Sequence, residues 1–215
     1  MAGTRSRSRR EEILDAAAVM FAERGYHGVS IDELGAAVGI SGPGIYRHFG
    51  GKEDVLAQML LRISQHLHDE GARCVADAAS AAEALDALLA AHVAFSLRQP
   101  ALIVVHGREL ANVPEPARRQ IRRLQRLYVE EWVAVLAELS PAVAAARLRA
   151  AAHAAIGLLN STPYSAGVHG AAELGQDVEL GQGRGLGQDG ELGQAAMADL
   201  LVAMARSALL AAVAR

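Results

Sequence analysis

Between Ser30 and Lys52 the chain has room for two short helices and a tight turn, and for little else. Ser30 and Glu33 have the Ser-x-x-Glu spacing of a capping box, which opens a helix running through Val38. Gly39-Ile40 make the turn, and Ser41 can cap a third, very short helix that ends near His48. Gly50-Gly51 then break the pattern before a long helix from Lys52 to about Ala76. Upstream, Ile13, Leu14, Ala17, Met20 and Phe21 recur at helical spacing from residue 9, and Gly25 stands where a helix C-terminus prefers glycine. Helix, tight turn and short helix is the arrangement that places a helix in a DNA groove.

The remainder reads as helix throughout. Apolar residues make up 52% of the chain and aromatics only 4%, so the core is mainly Ala, Leu and Val, which favours an all-α protein. Proline and glycine separate helices over Glu83–Arg98, Ala101–Leu110, Ala117–Leu139, Ala142–Leu159 and Gln194–Val213, joined by short loops that favour antiparallel packing. The expected division is a flexible basic arm over 1–8, a three-helix DNA-binding domain over 9–52, and a helical bundle over 53–215. Within the bundle, residues 166–194 form a flexible loop. There Glu173-Leu174-Gly175-Gln176 recurs in similar form three more times at a six-residue period, too few units for a β-helix and too glycine-rich for a helix.

A single cysteine, Cys74, rules out an internal disulfide and a cysteine-cluster metal site. No apolar signal region follows the basic start, and the longest charge-free run, Ala150 to Ala172, holds Asn160, Ser161, Thr162 and Pro163 and is a poor membrane span. The expectation is a cytoplasmic protein with no membrane partner and no cofactor or metal. No nucleophile motif, metal-ligand spacing or glycine-rich phosphate loop supports an enzyme.

Lys52 is the only lysine beside twenty arginines, and net charge is −3. Arg5, Arg7, Arg9 and Arg10 lie in the first ten residues, whereas residues 11–62 hold eight acids against Arg24, Arg47, Lys52 and Arg62. DNA binding would therefore rest on a few placed cations, backbone amides and the arm. Ile45 and Phe49, four apart, should face the core, which leaves Tyr46, Arg47 and His48 on the outer arc. Tyr46 and His48 can donate to phosphates, and Lys52 adds a point charge at a helix N-terminus. Ser30 offers a further phosphate contact. Ser41, Gly42, Pro43 and Gly44 begin the recognition helix with few hydrogen-bonding groups, so Arg47 is the candidate for a base contact and Pro43 for a thymine methyl.

The runs Ile13-Leu14-Asp15-Ala16-Ala17, Phe21-Ala22-Glu23-Arg24-Gly25-Tyr26, Ser30 through Ser41, Ile45-Tyr46-Arg47-His48-Phe49 and Lys52-Glu53-Asp54-Val55-Leu56 together resemble the DNA-binding domain of the tetracycline-repressor (TetR) family. The resemblance implies a C-terminal effector and dimerisation domain, whose last two helices build a four-helix interface. It also implies a homodimer on double-stranded operator DNA, released by a small-molecule effector. His92, Phe95, Ser96, His106, Tyr128 and Trp132 could then line an apolar cavity with a few polar handles, or be ordinary core residues. The stretch from His92 to Trp132 is similar to regulators near lipid and acyl-CoA genes. Arg118, Arg119, Arg122, Arg123 and Arg126 form either a solvated face or a landing site for an anionic headgroup such as a coenzyme A phosphate.

Overall fold

The computed structural model describes residues 8–162 and 193–214. The basic arm with Arg5 and Arg7, and the hexapeptide tract up to residue 192, lie outside the described residues. Helices are α1 (Arg9–Arg24), α2 (Ile31–Ala37), α3 (Gly42–Ile45), α4 (Lys52–Asp77), α5 (Ala81–Arg98), α6 (Pro100–Glu109), α7 (Glu115–Leu139), α8 (Ala145–Leu159) and α9 (Gln194–Val213). A 3-10 turn, Leu110–Asn112, follows α6, and no strand occurs among the described residues. The all-α class, a helix-turn-helix followed by a helical bundle, is as the sequence implies.

The chain divides into two compact units. One holds residues up to His66 together with Ala101–Leu124, and the other holds Leu67–Pro100 with Gln125 onward. The unit carrying the helix-turn-helix thus extends past residue 52 and takes in α6. The reason is packing: Val55, Leu56, Leu60, Val105 and Ile121 are fully buried and complete the core begun by Ile13, Phe21, Leu34 and Ile45.

In this first unit the caps work as their sequence suggests. Ser30 accepts from the Glu33 amide at 3.2 Å, and the Glu33 carboxylate accepts from the Ser30 amide at 2.8 Å. An equivalent reciprocal pair, Ser8 with Glu11, starts α1. Gly39 turns the chain from α2 to α3 at φ +70°, a conformation side chains disfavour. Close approach explains two other glycines. A Cβ on Gly35 would stand 2.8 Å from the Ile40 oxygen and 2.9 Å from the Gly42 nitrogen. A Cβ on Gly42 would collide with the Asp32 carboxylate. At Gly35 the α2 backbone meets the turn into α3 directly, and only glycine fits there.

Helix boundaries shift by up to a few residues. α3 stops at Ile45, four residues long. Beyond it, Arg47 and His48 donate to the carbonyls of Gly44 and Ile45 in a tight turn reaching Phe49, so the helical path to His48 continues with 3-10 closure. α8 begins at Ala145 rather than Ala142, because Ser140-Pro141 start a turn closed by the Val143 amide on the Ser140 oxygen. α5 starts at Ala81 under a Ser80 cap.

In the second unit, α5 buries Leu85, Leu88, Leu89, His92 and Val93 against Tyr128, Trp132 and Leu136 of α7 and Leu148, Ala152 and Leu159 of α8. α9 buries Leu201, Ala205 and Leu209 at four-residue spacing. Arg206 pairs with Asp86 of α5 at 2.7 Å, and Arg147 of α8 donates to the Ala212 oxygen at 2.6 Å. The opposite side of α9 exposes Leu200, Met204 and Leu210. By length and mean hydropathy (1.7) α9 alone would also pass as a membrane span.

Candidate nucleic-acid interface and buried polar cluster

The outer surface of the recognition turn is built by what lies under it. Ile45 and Phe49 are buried, which forces Tyr46 and Arg47 outward, and Tyr46 is 59% exposed. Pro43 is exposed beside them, Gly44 and His48 are half-buried, and Gly42 is buried. Gly42 therefore cannot present itself to a base, because its surface is covered by Asp32. Ser41 uses its hydroxyl to cap α3, accepting from the Gly44 amide at 3.3 Å. An open face of Pro43, Tyr46 and Arg47 remains.

Lys52 stands in a different setting from the one its sequence position suggests. Its Nζ donates to the carbonyl oxygens of Tyr26 (2.9 Å) and Val29 (2.7 Å) and sits 4.3 Å from the centre of the Tyr26 ring. Two of its three donors thus serve the loop between α1 and α2. The N-terminus of α4 also has anions of its own: Glu53 and Asp54 lie in its first turn, and Asp54 accepts from the Gly50 amide at 2.9 Å. A phosphate there would meet carboxylates. Lys52 joins α4 to the end of α1, and the only lysine of the chain is a staple.

Ser30 is similarly occupied. Its hydroxyl donates to Glu33 at 2.7 Å, and Glu33 pairs with Arg24 at 2.6 Å. The hydroxyl and amide of Ser30, then Arg24, hold the Glu33 carboxyl down to about 2, so Glu33 stays ionised and paired with Arg24 at any physiological pH.

Two cations at the start of α1 are structural as well. Arg9 donates to the Val38 oxygen at 2.9 Å. Arg10 donates to the His48 oxygen and to Gln58, and its guanidinium lies 4.2 Å over the Phe49 ring. Both reach carbonyls flanking the recognition turn and hold it from behind. Sequence reading counted them only as charges near the arm.

α6 joins this unit through Glu109, which is buried. Its carboxylate accepts from the Tyr26 amide (3.3 Å) and from Asn112 (2.8 Å), while Arg108 donates to the Ala22 oxygen (3.1 Å). Tyr26 is thereby gripped through its amide by Glu109 and through its carbonyl by Lys52. Nothing in the residue pattern singled out Glu109.

In the second unit, five of the six residues expected at an apolar cavity sit on facing stretches of α5 and α7. His92 stacks on Tyr128 (5.8 Å between centres) and meets Phe95 and Trp132 edge-on, each at 6.2 Å. Its Nε2 lies 3.1 Å from Asn160 Oδ1 and its Nδ1 lies 2.9 Å from the Tyr128 hydroxyl. Because Oδ1 only accepts, Nε2 carries the proton and Nδ1 accepts from Tyr128. Burial drops the His92 pKa to about 4 and pushes that of Tyr128 up, so both stay neutral near pH 7. Ser96 is wholly buried, and neither its hydroxyl nor the Trp132 indole N–H has a hydrogen-bond partner. His106 is not in this unit: it lies half-buried on α6, where burial lowers its pKa. Among the described residues no three His, Cys, Asp or Glu side chains gather as a metal site would need.

The sequence profile described as bacterial regulatory proteins, tetR family, matches residues 13–59, and one described as tetracyclin repressor-like, C-terminal domain, matches residues 78–164. The chain belongs to the tetR family. Members of that family are DNA-binding transcription regulators and not enzymes. The HTH-type transcriptional repressor KstR2 of Mycobacterium tuberculosis is 30% identical over 132 residues, 60% of this chain and 65% of that protein. The matches to curated KstR2 proteins span 40% to 65% of their length. Among solved structures, a TetR-family regulator from Bordetella parapertussis superposes with a TM-score of 0.74 at 21% identity, covering 93% of this chain and 95% of that one. AibR, solved in complex with isovaleryl coenzyme A and operator DNA, gives 0.66 at 22% identity, covering 92% and 97%. These likenesses show the fold.

Proposed function

We propose that the protein is a transcriptional repressor that binds operator DNA as a homodimer and lets go when a small apolar or amphipathic effector enters its second unit. The observation that carries the DNA half is the outward face of Pro43, Tyr46 and Arg47 on a turn braced by Arg10, Gly35 and Gly42. A rigid, exposed turn with one unpaired guanidinium and a phenol is suited to a groove, where Tyr46 positions on phosphate and Arg47 reaches a base edge. His48, half-buried, Ser41 and Gly44 contribute at the margin.

Dimerisation is supported by α9, whose exposed Leu200, Met204 and Leu210 flank the small residues Ala203 and Ser207 on the side away from its own core. A second copy would cover that apolar surface and set two recognition turns on a palindrome. An acyl-coenzyme A is our preferred effector. Arg126 of the second unit is exposed on α7 without an ion pair among the described residues, as a phosphate-binding guanidinium would be. Release requires that the effector prefer one arrangement of the dimer over the other.

Fluorescence anisotropy on DNA from upstream of the protein's own gene tests the reading. Wild type should bind in a salt-dependent manner, and Tyr46→Ala and Arg47→Ala should bind at least about tenfold more weakly with unchanged thermal stability. Equal binding by all three proteins would refute it.

A further inference from the structure

The recognition turn has little of its own to hold its shape. α3 is four residues long, and past Ile45 the turn closes through the amides of Arg47, His48 and Phe49 on the carbonyls of Gly44 and Ile45. One helical turn is unstable by itself, so the direction of Arg47 depends on what grips the turn from outside. Two grips flank Phe49, and they meet on one side chain. Arg10 of α1 donates to the His48 oxygen, lies 4.2 Å over the Phe49 ring, and donates with its other terminal nitrogen to Oε1 of Gln58. Gln58 Nε2 donates to Asp54 Oδ1 at 3.0 Å, and Asp54 Oδ2 accepts from the Gly50 amide at 2.9 Å. From His48 through Arg10, Gln58 and Asp54 to Gly50, these bonds close a ring on the turn.

A side-chain amide is what the middle of this ring requires. A guanidinium only donates and a carboxylate only accepts, so the bridge between them needs an acceptor at one end and a donor at the other. Its two partners fix the orientation of the Gln58 amide, with the oxygen toward Arg10. A glutamate would set a carboxylate against Asp54, a lysine would oppose Arg10, and a leucine would serve neither. Gln58 stands one helical turn after Asp54 on α4, the spacing at which two side chains meet. It is half-buried and opens onto a groove of about 520 Å³ shared with Leu14, Leu61 and Gln120, whereas Tyr46 lines a different one. Gln58 therefore lies behind the DNA-facing surface.

We propose that Gln58 is a positioning residue for sequence readout: it touches no DNA, and through Arg10 and Asp54 it sets the pose from which Arg47 reaches a base edge. This rests on the DNA-binding reading of Pro43, Tyr46 and Arg47 and deepens it. Gly42 is buried and Pro43 and Gly44 bring no side-chain donor, so base reading by the turn concentrates on Arg47 and its pose decides it. A phosphate contact tolerates a small displacement, because attraction between charges falls off slowly with distance. A base-edge contact is directional and does not. Loosening the ring costs operator recognition and spares general affinity for DNA.

The test compares two duplexes, one from upstream of the protein's own gene and one with the same bases scrambled, by anisotropy below every variant's thermal midpoint. Wild type should prefer the upstream duplex, and equal binding of the two would refute the regulator reading itself. Gln58→Leu should bind the upstream duplex about tenfold more weakly and the scrambled one within about twofold of wild type, with an unchanged salt slope. In an Arg47→Ala background the same change should cost less than about twofold more, since no base contact remains to misplace. Gln58→Glu together with Asp54→Asn reverses the polarity of the ring at constant net charge. The new carboxylate then accepts from Arg10 and from the new amide, whose oxygen keeps the Gly50 bond. This pair should restore discrimination to within about threefold of wild type, whereas Gln58→Glu alone loses it. A Gln58→Leu protein that keeps full discrimination, or weakens on both duplexes alike, would overturn the proposal. So would a loss that adds fully to that of Arg47→Ala, or a reversed pair that behaves like Gln58→Glu alone.

Discussion

The turn region around Tyr26 and Lys52 and the aromatic cluster around His92 treat polar side chains in opposite ways. In the first, conspicuous charged and hydroxylic residues are committed to the protein's own backbone: Lys52 to the carbonyls of Tyr26 and Val29, Arg10 to that of His48, Arg9 to that of Val38, and the Ser30 hydroxyl to the Glu33 amide. In the second, buried polar groups pair among themselves, His92 with Tyr128 and Asn160, while the Ser96 hydroxyl finds no partner. A helix-turn-helix of this size buries little, so it needs such staples to hold a four-residue helix in place. The larger core can leave donors unmade. A charged side chain near a DNA-facing turn is therefore weak evidence of a DNA contact until its partners are known.

The sharpest way to break the turn region is to separate its backbones. Gly35→Ala puts a Cβ within 3 Å of three backbone atoms of the α2–α3 connection and should cost about 3 kcal/mol, read as a fall in thermal midpoint by circular dichroism, with loss of DNA binding. Removing a staple should do less. Glu109→Ala strands the Tyr26 amide and Asn112, for about 2 kcal/mol by urea unfolding.

The cluster has its own signature in pH. His92 titrates near 4 when folded and near the ordinary histidine value when unfolded, so between those values the unfolded chain binds the extra proton. Stability is therefore full above about pH 6.5 and falls by up to about 1.4 kcal/mol per pH unit as pH drops toward 4. His106, lowered in the same direction, adds to the slope. His92→Gln should flatten the stability curve over this window, and a curve of unchanged slope would mean that His92 is not held neutral. The smallest effect on folding belongs to the exposed face: Arg47→Ala should change stability by less than about 0.5 kcal/mol while weakening DNA binding about tenfold.

Much of this was readable in the chain. Ser30 with Glu33, Ser41, Gly39 and Gly50-Gly51 placed the helices of the turn nearly to the residue, because caps and breakers act locally. The outward direction of Tyr46 and Arg47 followed from Ile45 and Phe49 being one turn apart. What could not be read were the long-range partners. The contacts of Lys52 with Tyr26 and Val29 lie more than twenty residues away in sequence, beyond the reach of a local reading. Glu109 was invisible for the same reason, its partner Tyr26 being 83 residues distant. Gly42 showed in sequence only as a position with few hydrogen-bonding groups, and its packing against Asp32 was not legible there. In the second unit His92, Phe95, Ser96, Tyr128 and Trp132 were named by type and helical spacing, whereas Asn160, which sets the His92 tautomer, carried no signal.

The salt dependence of binding to upstream DNA tests most directly whether the cations of the turn region serve the fold or the DNA. Wild type, Lys52→Met and Arg47→Ala are titrated at several salt concentrations, and the logarithm of affinity is plotted against that of salt. If Lys52 is a staple, Lys52→Met gives a weaker line parallel to wild type and a lower thermal midpoint, while Arg47→Ala weakens binding with its thermal midpoint unchanged. A Lys52→Met line flattened by about 0.9, with the thermal midpoint unchanged, would return Lys52 to the DNA and contradict the account.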